Sequence, residues 1–169
     1  MEKVSLLIPA YNEEDTIPLL YDELNKVIDT IPCYEFEILF VNDGSSDNTL
    51  NILRNLQQRD SRINYISFSR NFGKETAMAA GFDYVSGDAV VILDADLQDP
   101  PELIREMIKY WEEGYDDVYA KRRSREGESW FKKFTSAAFY KVLQKMTKIP
   151  IQEDTGDFRL LDRRAIESL

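Results

Sequence analysis

An unbroken apolar run, Ala89–Leu93, passes directly into Asp94-Ala95-Asp96-Leu97-Gln98-Asp99-Pro100. A run this short and this apolar, bounded by polar residues, fits a strand buried on both faces. Side chains alternate along a strand, so Asp94 and Asp96 are expected on one side. Gln98 joins them if the extended geometry persists. Pro100 and Pro101 then stop the strand and open the next helix. Two carboxylates brought together at a strand end raise each other's pKa unless a cation neutralises them. A hard divalent ion with oxygen ligands suits such a pair. Two acids on a solvated loop is the plainer alternative.

The rest of the chain repeats the same kind of unit. Val4–Ile8 reads as a first strand, followed by the loop Pro9-Ala10-Tyr11-Asn12-Glu13. Thr16–Asp29 has helical spacing, with Ile17, Leu20, Leu24, Val27 and Ile28 on one face. Glu37–Val41 reads as a second strand and Asn42–Asp47 as a turn, with Ser46 or Asp47 capping the helix Thr49–Arg59. Asn64–Phe68 is expected as a third strand, Ser69–Gly73 as a loop and Thr76–Val85 as a helix of small residues. After the central strand come a helix over Glu102–Glu113 and a fifth strand over Asp117–Ala120. Strands alternating with helices through short loops imply an α/β sandwich, its sheet mostly parallel and its crossovers right-handed. In such sheets ligands sit outside the carboxyl ends of the strands. Three acid-bearing loops fall at those ends, at 9–13, 42–47 and 94–99.

Beyond residue 121 the character changes. Nine Lys/Arg face only Glu126 and Glu128 between Lys121 and Lys148, a local charge of +7 in a chain of net charge −10. This asymmetry points to an anionic partner for one face. Trp130–Met146 has apolar residues at helical spacing with Lys132, Lys133, Lys141 and Lys145 between them. It reads either as a core helix with a solvated lysine face or as a helix lying on an anionic membrane surface. The stretch Asp154–Arg164 reads as a turn, a short strand and a helix start.

Composition narrows the chemistry. At 169 residues the chain is long enough for one domain with its own core. It has no histidine, which removes histidine bases, Ser-His-Asp triads and His-ligated zinc. One cysteine, Cys33, permits neither an internal disulfide nor a cysteine metal cluster. The net negative charge argues against nucleic acid as a partner. No secretory h-region and no apolar span of about 18 residues is present. The sequence has no G-x-x-x-x-G-K-[ST] loop and no G-x-G-x-x-G after its first strand, which sets aside P-loop NTPases and dinucleotide oxidoreductases. The D-x-D follows the fourth strand, with Gln98 two positions later, unlike an aspartyl-nucleophile phosphatase.

P-A-Y-N-E at 9–13, V-N-D-G-S-S-D-N-T at 41–49 and L-D-A-D-L-Q-D-P at 93–100, in this order, resemble the family 2 glycosyltransferases of the GT-A fold. Arg70-Asn71-Phe72-Gly73-Lys74 and Thr155-Gly156-Asp157-Phe158-Arg159 resemble, more narrowly, the polyprenyl-phosphate sugar transferases, the subgroup of dolichol-phosphate mannose synthases and bactoprenol glucosyltransferases. The resemblance covers nearly the whole chain. It implies a Rossmann-like, mostly parallel sheet with helices on both faces, in a single catalytic domain over 1–169. Residues 1–100 would be the nucleotide-sugar half and 101–169 the acceptor half, with membrane segments following in the full-length protein.

The implied activity is metal-dependent, inverting transfer of a hexose from a UDP- or GDP-linked sugar to a polyprenyl phosphate at the cytoplasmic face of the membrane. Two alternatives stand beside it: a transferase with a sugar hydroxyl as acceptor, and a non-catalytic nucleotide-sugar-binding module. By the resemblance, Pro9, Ala10, Tyr11 and Glu13 line the nucleotide pocket, Tyr11 packs on the base and Asp43 accepts a hydrogen bond from it. Lys74, Asp94 and Ala95 belong to the donor site, with Asp94 near the ribose and sugar. Asp96 and Gln98 reach a Mg²⁺ or Mn²⁺ on the diphosphate. Arg122, Lys132, Lys133 and Ser136 would cradle the acceptor phosphate, and Asp157 would orient the acceptor or act as base. Plainer readings stay open: Tyr11 as a surface aromatic, Asp43 or Asp157 as a turn cap, Gln98 as a loop amide, Lys74 as a solvated helix lysine. A homo-oligomer is left open.

Overall fold

The structure, a computed structural model, describes residues 1–121 and 155–168. Among them six strands form one sheet: β1 Lys3–Ala10, β2 Glu35–Asn42, β3 Ile63–Ser67, β4 Ala89–Ile92, β5 Asp117–Lys121 and β6 Thr155–Asp162. The helices are α1 Ile17–Ile28, α2 Thr49–Arg59, α3 Lys74–Phe82, α4 Leu103–Glu112 and the short α5 Arg163–Ile166. Residues 1–119 with 157–169 make one compact unit and residues 120–156 a second. The expected basic helix Trp130–Met146 and the residues Arg122, Lys132, Lys133 and Ser136 lie outside the described residues. The backbone of Asp157 lies in β6.

The sheet order is β3-β2-β1-β4-β6-β5. β1 pairs in parallel with β2 (Leu7 opposite Leu39) and with β4 (Leu7 opposite Ile92), and β2 pairs in parallel with β3. From β1 the chain steps outward to β2 and β3, then returns to place β4 on the other side of β1. The direction of winding therefore reverses between β1 and β4. At such a reversal the loops leaving the two strands part and open a crevice. β6 runs antiparallel to β4, with Ala89 opposite Asp162 and Ile92 opposite Arg159.

Burial follows from the apolar runs. On one face Leu7, Leu39, Val41, Val90, Ile92 and Leu161 meet Ala77 of α3 and Ile166 of α5. The alternate positions Leu6, Ile8, Ile38, Phe40 and Val91 are also fully buried, so both faces of the central strands are covered. α1 buries the expected stripe of Ile17, Leu20, Leu24, Val27 and Ile28. α3 has small residues because it lies close to the sheet: a Cβ on Gly81 would come 2.2 Å from Cδ1 of the buried Leu7.

The amino end of the sheet is closed by polar contacts. The Glu37 carboxylate accepts from the Ser5 and Ser86 hydroxyls and the Ser86 amide, and pairs with Lys3 at 3.0 Å. Burial alone would push the Glu37 carboxyl up, but donation by Ser5, Ser86 and Lys3 holds it below the usual glutamate range. Arg163 donates to the carbonyls of Val85 and Gly87 and pins the turn before β4.

Among the boundaries that differ from those expected of the sequence, three bear on the site. β4 stops at Ile92, before the acids, and Leu97 sits at φ 61, so the extended geometry expected through Gln98 is replaced by a turn. α3 begins at Lys74 rather than Thr76, because Gly73 at φ 95 turns the chain into the helix there. The cap of α2 is Asn48; Asp47 beside it accepts from the Thr49 amide at 3.0 Å instead.

Candidate active site

A cleft of about 310 Å³ opens at the carboxyl ends of β1, β2 and β4. It is lined by Pro9, Ala10, Tyr11, Glu13, Asp43, Asn71, Gly73, Lys74, Asp94, Ala95 and Asp96. These residues come from four loops that the sequence keeps far apart, and the winding reversal between β1 and β4 brings them together.

The loops are tied to one another. Asn12, at φ 56, donates its amide to Ser45 Oγ at 2.9 Å, and its side-chain oxygen accepts from the Ser46 amide at 2.9 Å. Asparagine tolerates this left-handed backbone better than most residues. The Glu13 amide donates to Thr49 Oγ1 and the Asn48 amide to Glu14 Oε2, both at 2.9 Å. The 9–14 and 43–49 segments thus form one hydrogen-bonded unit. Within it the Glu13 carboxylate accepts from Thr16 Oγ1, and the Tyr11 side chain remains 46% exposed at the cleft.

Asp43 connects this unit to the third loop. It is 3% exposed, and its carboxylate accepts from the Phe72 amide at 2.7 Å and the Gly73 amide at 2.9 Å. Each oxygen takes one amide, and a carboxylate has about four lone-pair sites, so acceptor capacity remains. Gly44 follows at φ 66, where a Cβ would lie 2.2 Å from the Arg70 carbonyl carbon. Only glycine permits both that backbone and that approach. Asn71 and Gly73 line the cleft because Asp43 draws their loop inward. Both belong to the Arg70–Lys74 motif, yet neither is among the expected site residues. The available signal is the N-F-G run before a helix, with an amide-accepting acid in another loop.

Asp94 and Asp96 both line the cleft, from the turn after β4. Asp94 Oδ1 stands 2.5 Å from Lys74 Nζ, so Lys74 is engaged at the cleft rather than solvated. Asp96 Oδ1 accepts from the Gln98 amide at 3.0 Å. The side chain of Gln98 is exposed and is not part of the lining. Leu97 at φ 61 sharpens this turn, and a left-handed leucine costs on the order of 1–2 kcal/mol. Among the described residues no group of three or more His, Cys, Asp or Glu could hold a metal ion by itself. Two carboxylates, one of them paired with a lysine, fit an ion that takes most of its ligands from water and a phosphate-bearing ligand. Among the described residues no helix is long and apolar enough to cross a membrane.

Comparison with known proteins agrees with this architecture. The sequence is 51% identical over 167 residues to an uncharacterized glycosyltransferase of Synechocystis sp., covering 99% of this chain and 52% of that protein. It is 44% identical over 167 residues to the bactoprenol glucosyl transferase of Shigella phage SfV, covering 99% of this chain and 54% of that one. The chain therefore spans about half the length of the curated relatives it matches. Among solved structures, the mannosyltransferase PcManGT of Pyrobaculum calidifontis, in complex with GDP-Man and Mn²⁺, superposes with a TM-score of 0.68 at 21% identity. That match covers 99% of this chain and 46% of the other. The fold is thus the GT-A type implied by the resemblance. The sequence model for glycosyl transferase family 2 matches residues 5–169, and on that match, carried through strand ends and cleft alike, the chain belongs to glycosyl transferase family 2.

Proposed function

We propose that the cleft binds a nucleotide-sugar donor and that the protein transfers its hexose, with inversion, to a polyprenyl phosphate. The observation that carries this reading is the convergence of Tyr11, Asp43, Lys74, Asp94 and Asp96 on one cleft at the winding reversal of the sheet. Tyr11 packs on the base, and Asp43, while holding the 72–73 amides, accepts from its edge. Pro9, Ala10, Glu13 and Ala95 shape the nucleotide pocket. Asp94 lies by the ribose and sugar, and Asp96, its carboxylate held by the Gln98 backbone amide, is the side chain for a divalent ion. Bound Mg²⁺ or Mn²⁺ supplies Lewis-acid neutralisation of the departing diphosphate.

In the reaction an acceptor phosphate oxygen attacks the anomeric carbon from the face opposite the diphosphate. The bond from that carbon to the diphosphate oxygen breaks, and the nucleoside diphosphate leaves with the electron pair. A phosphate monoester has its second pKa near ~6, so this nucleophile is already ionised and needs no strong base. It needs cations, and Arg122, Lys132 and Lys133, with the Ser136 hydroxyl, supply them in this reading. Asp157 orients the acceptor. A lipid acceptor places the reaction at a membrane surface, in this reading its cytoplasmic face. The bactoprenol glucosyl transferase at 44% identity supports that choice.

The test is a panel of UDP- and GDP-sugars with Mg²⁺ or Mn²⁺, read as thermal stabilisation. A donor at 100 times its Kd adds about 2.7 kcal/mol, and Asp96→Ala removes the metal-dependent part of the shift. If no member of the panel stabilises the protein with either ion, the reading fails.

A further inference from the structure

We propose that the exposed face of α4, with the groove beside it, is a two-fold contact for a second copy of this chain. No residue lines both this groove and the cleft, so the contact stands apart from the donor reading.

The groove, of about 600 Å³, lies between the turn after α1 and α4. The buried Ile31, Tyr34 and Ile108 line it, and the α4 side carries Glu102, Arg105, Glu106 and Lys109, all exposed. Its two sides are fixed to each other. Tyr34 Oη donates to Glu112 at 2.7 Å, and the Tyr34 ring stands 5.9 Å from that of Trp111. An apolar surface is thus held ready under a charged rim.

The order of the charges says what covers it. The four residues stand at i, i+3, i+4 and i+7, one stripe of a helix, and read acid, base, acid, base. Each has a like charge four residues away, an arrangement that weakens a helix standing alone. Opposite charges stand three apart, yet among the described residues none of the four joins an ion pair. The chain itself therefore leaves this stripe uncompensated. Read backwards, the stripe is base, acid, base, acid. A second α4 laid antiparallel on the first sets Glu102 against Lys109 of the second copy, and Arg105 against Glu106 of the second copy. The two-fold repeats both pairs, so every charge of the stripe meets its opposite. A parallel helix would set like against like at each position. The stripe is complementary to itself in one direction only, and the two-fold axis passes between Arg105 and Glu106. The aliphatic stems of Arg105 and Lys109 extend the apolar surface around the pairs.

The test is sedimentation equilibrium of the whole chain from about 1 µM to 1 mM. The wild type should show a monomer–dimer equilibrium that weakens as salt screens the rim charges. Arg105→Glu places like charges together at both symmetry-related positions and should weaken the dimer about tenfold or more. Adding Glu106→Arg to that variant restores opposite signs and should restore the dimer. A purely structural role of Arg105 within its own chain predicts no such rescue. Lys109→Glu and its rescue by Glu102→Lys repeat the test at the outer pair, and they decide should the first variants fail to fold. A wild type that stays monomeric throughout the range overturns the proposal. So does a dimer indifferent to both single reversals, or one that neither double reversal restores. Loss of the dimer with nucleotide binding intact leaves the donor reading standing, and the reverse result leaves the contact standing.

Discussion

Gly44→Ala is the substitution from which the cleft has most to lose. The residue sits at φ 66, and an added methyl would meet three backbone atoms of Arg70, at 2.2, 2.5 and 2.6 Å. An alanine in left-handed backbone costs about 1–2 kcal/mol. Forcing a methyl into filled space adds about 1–3 kcal/mol, and here the neighbour is main chain with no rotamer to change. Gly114→Ala isolates the first cost, because Gly114 has φ 98 and a Cβ there would meet nothing within 4 Å. The difference between the two variants is therefore the clash, about 2 kcal/mol. For a chain of this size that separates their melting temperatures by roughly 4–8 °C, Gly44→Ala being the lower. The clash also drives Arg70 outward and draws the Phe72 and Gly73 amides off Asp43. Losing one hydrogen bond to a charged group costs about 1.5–3 kcal/mol, so nucleotide affinity should fall roughly tenfold or more in Gly44→Ala and stay level in Gly114→Ala. Calorimetry with UDP or GDP and Mn²⁺ reads the second effect. Equal melting temperatures in the two variants, or wild-type nucleotide affinity in Gly44→Ala, would refute the reasoning.

Two further outcomes follow from charges away from the cleft. Hydrogen bonds from Arg62, aided by Tyr21, outweigh burial and hold Asp60 at about 2, below its ordinary 3.8. A depressed carboxyl stabilises the fold above its unfolded pKa and loses that contribution as pH falls through its folded one. Asp60→Asn should therefore lower stability by about 1 kcal/mol above pH 5, a value discounted for the partial exposure of Arg62. Melting curves of the two proteins should converge between about pH 4 and pH 2, and a gap that persists unchanged to pH 2 counts against the pairing. Glu37→Gln replaces a carboxylate with four contacts by an amide whose NH₂ group faces other donors, Lys3 and Ser86. It should cost about 1.5–3 kcal/mol in denaturant unfolding. Nucleotide affinity should not change, since Glu37 lies at the amino end of β2 and the cleft at the carboxyl end.

The elements are legible wherever burial imposes a period. The apolar runs of β1, β2 and β4 and the stripe on α1 are local consequences of facing a core, and they appear in the chain as written. The order of the strands is only partly legible. That β6 enters antiparallel beside β4 depends on pairing across some seventy residues, and no short window carries that information. The end of β4 escapes the sequence for a local reason. Leucine rarely adopts positive φ, so nothing about Leu97 warns that a turn replaces the strand and leaves the Gln98 side chain outside the cleft. The start of α3 is obscured because its small residues give little periodicity, while Gly73, the residue that sets the start, looks like part of a loop. Of the cleft, the residues at strand ends can be read directly. Asn71 and Gly73 cannot, because the Asp43 carboxylate that draws them in belongs to a loop almost thirty residues earlier.

That carboxylate also bears on the sign of the site. Among the described residues, four acids, Glu13, Asp43, Asp94 and Asp96, and a single lysine line a cleft proposed to hold an anionic diphosphate. Left to themselves, four carboxylates would repel it. Each is instead occupied by a donor from the chain: Glu13 by the Thr16 hydroxyl, Asp43 by two amides, Asp94 by Lys74 and Asp96 by one amide. The first three are bound by groups that fix loops or cancel charge, so they shape the cleft more than they charge it. Glu13 and Asp96 each keep a single neutral donor, and of the two it is Asp96 that lies in the turn after β4 beside Asp94. An anionic donor can approach that carboxylate only with a cation between them. The proposed divalent ion is thus assigned to Asp96, and charge reversal there should be informative in a way that removal is not. Asp96→Lys places a fixed cation where the proposed ion would sit. It should bind UDP or GDP without added metal, with an affinity insensitive to chelator, while the wild type loses its affinity on chelation. Calorimetry in excess chelator distinguishes them, and metal-independent nucleotide binding by the wild type would show that Asp96 repels nothing that matters.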